Sequence, residues 1–135
     1  MVKVVLFDVL FPRVHPRVGE PTFFVNSIIQ NNKVHTVYKG KCFKEGMIIS
    51  PRIWSGVPYR SKQFVFTHPL TIIEVYNFSK LDGLGWFLDN KKISAAMLEI
   101  IARNDGLSRK DFTDYFASAK VFDGQIVCWK AVKYS

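Results

Sequence analysis

Cysteine is scarce in this sequence: Cys42 and Cys128 are the whole supply. Two thiols exclude a disulfide framework, and alone they make no structural zinc site. Acidic residues are also few. Asp and Glu number 11 against 19 Lys and Arg, which leaves a net charge of +8. No stretch approaches the ~20 consecutive apolar residues of a membrane-spanning helix. The opening, Met1 to Leu10, is apolar but short and is broken by Asp8. It has neither the basic lead nor the small-residue cleavage site of a secretion signal. A cytoplasmic protein with reduced thiols and no membrane association is therefore expected. Repeats, low-complexity tracts, phosphate-cradling glycine loops, zinc patterns and serine-hydrolase elbows are missing too. His15, His35 and His68 are scattered without metal-ligand spacing and read as structural or surface residues. The sequence implies no metal and no cofactor.

What remains is a folding composition. Of 135 residues, 48% are apolar and 15% aromatic, with 12 phenylalanines. That suits one domain, 1–135, with a real core. The positive charge is concentrated. Lys33, Lys39, Lys41, Lys44, Arg52, Arg60 and Lys62 face only Glu45 within residues 33–62, seven against one, a net +6. The segments on either side carry +1 each. Such a field attracts polyanions, partly by releasing their counterions, although a merely solvated basic face has the same composition.

Val2 to Leu10 reads as a buried strand and Phe11 to Pro21 as a loop with extended pieces. Pro21 suits the first position of a helix running to about Gln30, with Phe24, Ile28 and Val25 facing inward. Strands are expected at Val34–Tyr38, Met47–Trp54, Gln63–Thr67 and Thr71–Phe78, with a turn from Ser55 to Pro58. Ile93, Met97, Ile100 and Ile101 fall at helical spacing, and Asn104-Asp105-Gly106 stops that helix. Ser108 and Asp111 outline a capping box for a second helix bearing Phe112, Tyr115 and Phe116. Gln125 to Tyr134 reads as a last strand. Strand-rich blocks flanking short helices, without regular βαβ alternation, argue for an α+β fold: a small mixed or antiparallel barrel with peripheral helices.

Three segments could carry chemistry. In Lys33-Val34-His35-Thr36-Val37-Tyr38, a desolvated lysine can act as a base and a base-assisted threonine hydroxyl can attack a carbonyl. Residues three apart on a strand point to opposite faces, so the pairing requires Lys33 to sit off the strand. Asp105 in Asn104-Asp105-Gly106 can serve as an acid or base at a cleft, or simply as turn chemistry. From Arg52 to Lys62, the basic Arg52, Arg60 and Lys62 interleave with Trp54 and Tyr59. Aromatic faces stack on bases and arginine binds phosphate, the combination of a single-strand or loop-RNA reader. The same pattern fits a hairpin whose Trp54 packs inward while its charges are solvated. Tyr38, Lys39 and Lys41 lie beside the first segment and would extend a nucleic-acid surface.

At these positions the chain resembles the ASCH domains, a branch of the PUA-like barrels. Those proteins carry a Lys-x-x-Thr signature after their first helix, standing here as Lys33 to Thr36. Short bacterial members remove the acetyl group from acetylated cytidine with that lysine, that threonine and a later glutamate. The glutamate's position falls on Asp105, ahead of Gly106-Leu107-Ser108-Arg109-Lys110-Asp111-Phe112. The segment Gln125 to Val132 looks like the family's final strand. The Arg52 to Lys62 and Asn104 to Leu107 segments resemble those of short ASCH-like proteins from phages and their bacterial hosts. The likeness spans roughly residues 22 to 134 on three short motifs. Two residues depart from the pattern: Tyr38 stands where arginine is frequent, and Asp105 is one methylene shorter than glutamate.

The resemblance implies a PUA-like barrel binding RNA or a modified nucleoside in a cleft edged by Lys33, Thr36 and Asp105. Arg52, Trp54, Tyr59, Arg60 and Lys62 would supply charge and stacking. It also implies an alternative, an amidohydrolase acting on an acylated cytidine-type nucleoside. There Lys33 is the base, Thr36 the nucleophile and Asp105 the proton-orienting group. A third reading is a phage or host accessory protein whose basic face meets a protein partner.

Overall fold

The computed structural model describes residues 2–134 and shows an α+β fold made mostly of strands. One sheet is built on β1 (Val2–Leu6) and β3 (Ile48–Trp54), which pair in parallel with Leu6 opposite Arg52. On its other side β3 takes β4 (Gln63–Val65) near Trp54 and the short β5 (Leu70–Thr71) near Ile48, both antiparallel. The second sheet is wholly antiparallel. Its order is β2 (His35–Lys39), β9 (Val121–Cys128), β6 (Glu74–Leu81), β7 (Gly85–Leu88) and β8 (Lys91–Lys92). The helices are short: α1 (Phe24–Ile29), α2 (Ala95–Asn104) and α3 (Arg109–Asp114).

The core contains Phe7, Phe24, Ile49, Ile72, Phe78, Ile101, Phe112, Ile126 and Val127, which come from both sheets and all three helices. Central β9 buries every residue from Gly124 to Cys128, as expected of a strand covered on both faces. Gly124 is obligatory there, because a Cβ would stand 2.3 Å from the carbonyl oxygen of Tyr38 on the neighbouring strand.

Several sequence expectations shift. The last strand begins at Val121 and ends at Cys128; residues beyond Trp129 leave the sheet, held by the Glu74 carboxylate, which accepts from the Val132 amide at 2.6 Å. The stretch from Thr71 to Phe78 is two strands, interrupted where fully buried Ile72 turns into the core. The β6–β7–β8 meander, with Gly83 and Gly85 at positive φ, escaped the sequence reading. Pro21 does not open α1. It bridges to Leu10 and closes the preceding loop, while Thr22 performs the junction. The Thr22 hydroxyl donates to the Asp8 carbonyl at 2.6 Å and accepts from the Phe24 amide at 3.3 Å. On α2 the buried face is Leu98, Ile101 and Ala102, and Ile100 lies half exposed. The α3 cap forms through the Asp111 amide donating to Ser108 Oγ at 3.1 Å. The Asp111 carboxylate does not close the box but pairs with Arg17, and Tyr115 and Phe116 follow the helix rather than lie within it.

Candidate functional site

Lys33 sits off β2, as the chemistry requires. It follows the Asn31 turn, forms an isolated antiparallel bridge with Asp105, and is followed by one residue before the strand begins. Its side chain is almost wholly buried, at 1% exposure. The ammonium donates to the Asp105 carbonyl at 2.9 Å and to Asp105 Oδ1 at 3.0 Å. It also lies 4.3 Å from the centroid of the Phe24 ring, a cation–π contact. Burial pushes the Lys33 amine below its usual range, and the Asp105 carboxylate opposes that shift. Gly106 makes the approach possible. It adopts a left-handed φ of +82°, and a Cβ there would meet Lys33 Cβ at 3.2 Å.

Asp105 Oδ1 has a second buried partner, His35. The ring Nδ1 lies 3.1 Å from Oδ1, and Nε2 lies 2.6 Å from the Tyr134 hydroxyl. The Tyr134 oxygen also accepts from Asn104 Nδ2 at 2.9 Å. One assignment satisfies every atom: Asn104 donates to Tyr134, Tyr134 donates to Nε2, and Nδ1–H donates to Asp105. His35 is then neutral, in keeping with burial lowering its pKa. Burial likewise pushes the Tyr134 hydroxyl well up, so it keeps its proton. The tail that brings Tyr134 here is fixed by its amide donating to the Tyr76 hydroxyl at 3.2 Å.

Lys33, Thr36, Tyr38 and Asp105 line one cavity of about 170 Å³. Phe7, Phe24, Phe112, Tyr115 and Phe116 give it aromatic walls, and Asp8 stands at the end of β1. Thr36 is partly exposed, and among the described residues its hydroxyl has no protein hydrogen bond. Tyr38 packs edge-on against Phe43, with centroids 4.9 Å apart. Asp8 is reached by solvent, yet the protein around its carboxyl raises its pKa; its nearest side-chain partner is the Tyr115 hydroxyl, at a long 3.4 Å. The Tyr115 hydroxyl is itself pushed far up by burial and stays a donor.

The basic hairpin does not line this cavity. It joins β3 to β4 and continues from the end of the sheet where β1 does line it, since Leu6 pairs with Arg52. Trp54 is half-buried and lies outside the central core; its ring centroid is 5.1 Å from that of Tyr59. Tyr59 is 87% exposed at a positive φ, and Arg60 and Lys62 are exposed with it. Arg52 is held by Ser50 Oγ and Gln63 Oε1. Lys39 is exposed, whereas Lys41 is engaged by Asn77 and Asp123, which mutes its charge.

Sequence reasoning missed Asp8, Phe24, His35 and Tyr115. His35 carries no local signal, because its partners lie 70 and 99 residues away. The one local signal for Asp8 was an acid ending an apolar strand. His15 is also buried, its Nδ1 accepting from the Arg17 amide and its Nε2 contacting the Asp111 carbonyl. His15, Asp111 and Asp114 bring possible ligand atoms within 4.8 Å of one another. Arg17 and Lys110 already neutralise the two carboxylates. His68 is exposed and contacts only its neighbour's carbonyl, and Cys42 and Cys128 are free thiols. No helix among the described residues is long and apolar enough to cross a membrane.

Comparison of the chain with known protein families, with curated proteins and with solved structures finds no significant match.

Proposed function

We propose that this chain is an RNA- or modified-nucleoside-binding domain of the ASCH kind, with a PUA-like barrel as its architecture. The observation carrying this reading is a convergence. Lys33, Thr36 and Tyr38 from one stretch of sequence and Asp105 from another, some 70 residues on, meet on one aromatic-walled cavity. A cationic hairpin with an exposed tyrosine extends from the adjoining end of the first sheet. Flat walls suit a base removed from its stack, and Arg60 and Lys62 suit the phosphates on either side of it. Titrating a labelled single-stranded RNA against wild type and an Arg60→Ala/Lys62→Ala double variant tests the reading. The double variant should bind more weakly and lose about one to two units of log–log salt slope. Unchanged affinity and slope would remove the hairpin from the interface and the RNA reading with it.

A second reading, deacylation of an acylated cytidine-type nucleoside, is favoured by the Lys33–Asp105 contact on the same cavity as Thr36. Burial lowers the cost of deprotonating Lys33, and the free amine can take the Thr36 hydroxyl proton. The threonine oxygen then attacks the acyl carbon. The C–N bond breaks, the nucleoside amine leaves with the proton returned by Lys33, and water hydrolyses the threonine ester to release the acid. Asp105 holds the ammonium formed in between. Acetate release from acetylcytidine, lost in Lys33→Ala by about 10²-fold or more, supports this reading. No release from wild type overturns it and leaves the binding reading standing.

A further inference from the structure

Asp8 has no role in either reading so far, yet its surroundings are specific. It is the second residue after β1, its carbonyl is held by the Thr22 hydroxyl, and it lines the cavity with Lys33 and Asp105. The three polar groups are not equivalent. Two of the three Lys33 ammonium hydrogens go to Asp105, and Asp105 Oδ1 accepts from both Lys33 and His35. Asp8 has only the long Tyr115 contact to Oδ2, and among the described residues no partner to Oδ1. With Asp105 already paired with the Lys33 ammonium, Asp8 is the carboxylate not engaged by a cation among the described residues lining this aromatic-walled space.

Resting on the cavity-binding reading above, we infer that Asp8 is a specificity-determining residue that selects a nucleobase carrying an exocyclic amino group over one carrying a keto group at the same position. A carboxylate accepts hydrogen bonds and repels carbonyl oxygens. The amino group of an aminated ring offers donors that the aromatic walls cannot satisfy. Uracil presents a single ring N–H flanked by two oxygens, and one of these would face the carboxylate with no proton between them. A bound base displaces the water at Asp8, and a carboxylate then left facing an oxygen, without a donor to replace that water, is what gives such discrimination its strength.

Cytidine and uridine are the probes, because they share size and sugar and differ where the proposal needs them to. Binding of each to wild type and to Asp8→Asn is measured by calorimetry, with thermal unfolding confirming that the variant is folded. Wild type should prefer cytidine by roughly tenfold or more. In Asp8→Asn the side-chain amide both donates and accepts, so cytidine should weaken, uridine should strengthen, and the ratio should approach one. Equal binding of the two by wild type, or a preference that survives Asp8→Asn, overturns the proposal while the cavity reading stands. Binding of neither nucleoside overturns the cavity reading and this proposal together. Should the asparagine variant not fold, Asp8→Ser, which also removes the charge, gives the same comparison.

Discussion

Asp105 accepts from two buried side chains, Lys33 and His35, through a single oxygen, and burial lowers the pKa of both. His35 is neutral in the fold because burial lowers its pKa from 6.5. The unfolded chain therefore takes up that proton first. The stability His35 permits is complete above about pH 6.5 and is lost as pH falls toward the lower folded value. Asp8 acts with the opposite sign in a more acidic window, since its folded pKa lies above 3.8. Its contribution is present below that value and disappears as pH rises through the folded pKa. A melting-temperature series from about pH 8 to about pH 5 should show the His35 limb, and His35→Asn should flatten it. A wild-type midpoint that stays level over that range would show that the ring is not held neutral. The motif Lys33 to Thr36 was legible as a string of types, but the contacts that organise it were not. A histidine between a lysine and a threonine carries no local mark of an aspartate 70 residues away.

Among the elements, α2 shows where periodicity succeeds and where it fails. Spacing found the helix, and Ser94 caps it by accepting from the Met97 amide at 3.1 Å. Spacing also put Ile100 on the inner face with Ile101. Only Ile101 is fully buried, whereas Ile100 is 49% exposed. The true face, Leu98, Ile101 and Ala102, is narrower than the apolar stripe, and residue type alone cannot say which edge of a stripe meets a partner. Ile101→Ala should therefore cost about 2–5 kcal/mol, as a cavity forms among fixed neighbours. Ile100→Ala should cost less than about 1 kcal/mol. Urea titration of both checks the contrast, and equal losses would reverse the assignment of the face. The hairpin from β3 to β4 was recognised because turn residues punctuate it. The β6–β7–β8 meander was not, because Leu84, Trp86 and Phe87 spread apolar character evenly through it and hide the alternation.

For the whole molecule, local pattern recovered the α+β class and most strands, but not their neighbours. The parallel pairing of β1 with β3 and the central place of β9 are set by tertiary packing, which leaves no trace in a short window. The place of β9 governs when the molecule can assemble. During synthesis β2 and β6 emerge long before residues 121–128, and each must wait with one row of backbone donors and acceptors facing water. Half of the second sheet's ladders therefore close only after residues 121–128 have left the ribosome. A product cut short before Val121 would carry two sticky margins flanked by Val37, Tyr76 and Phe78, a template for pairing with its own copies.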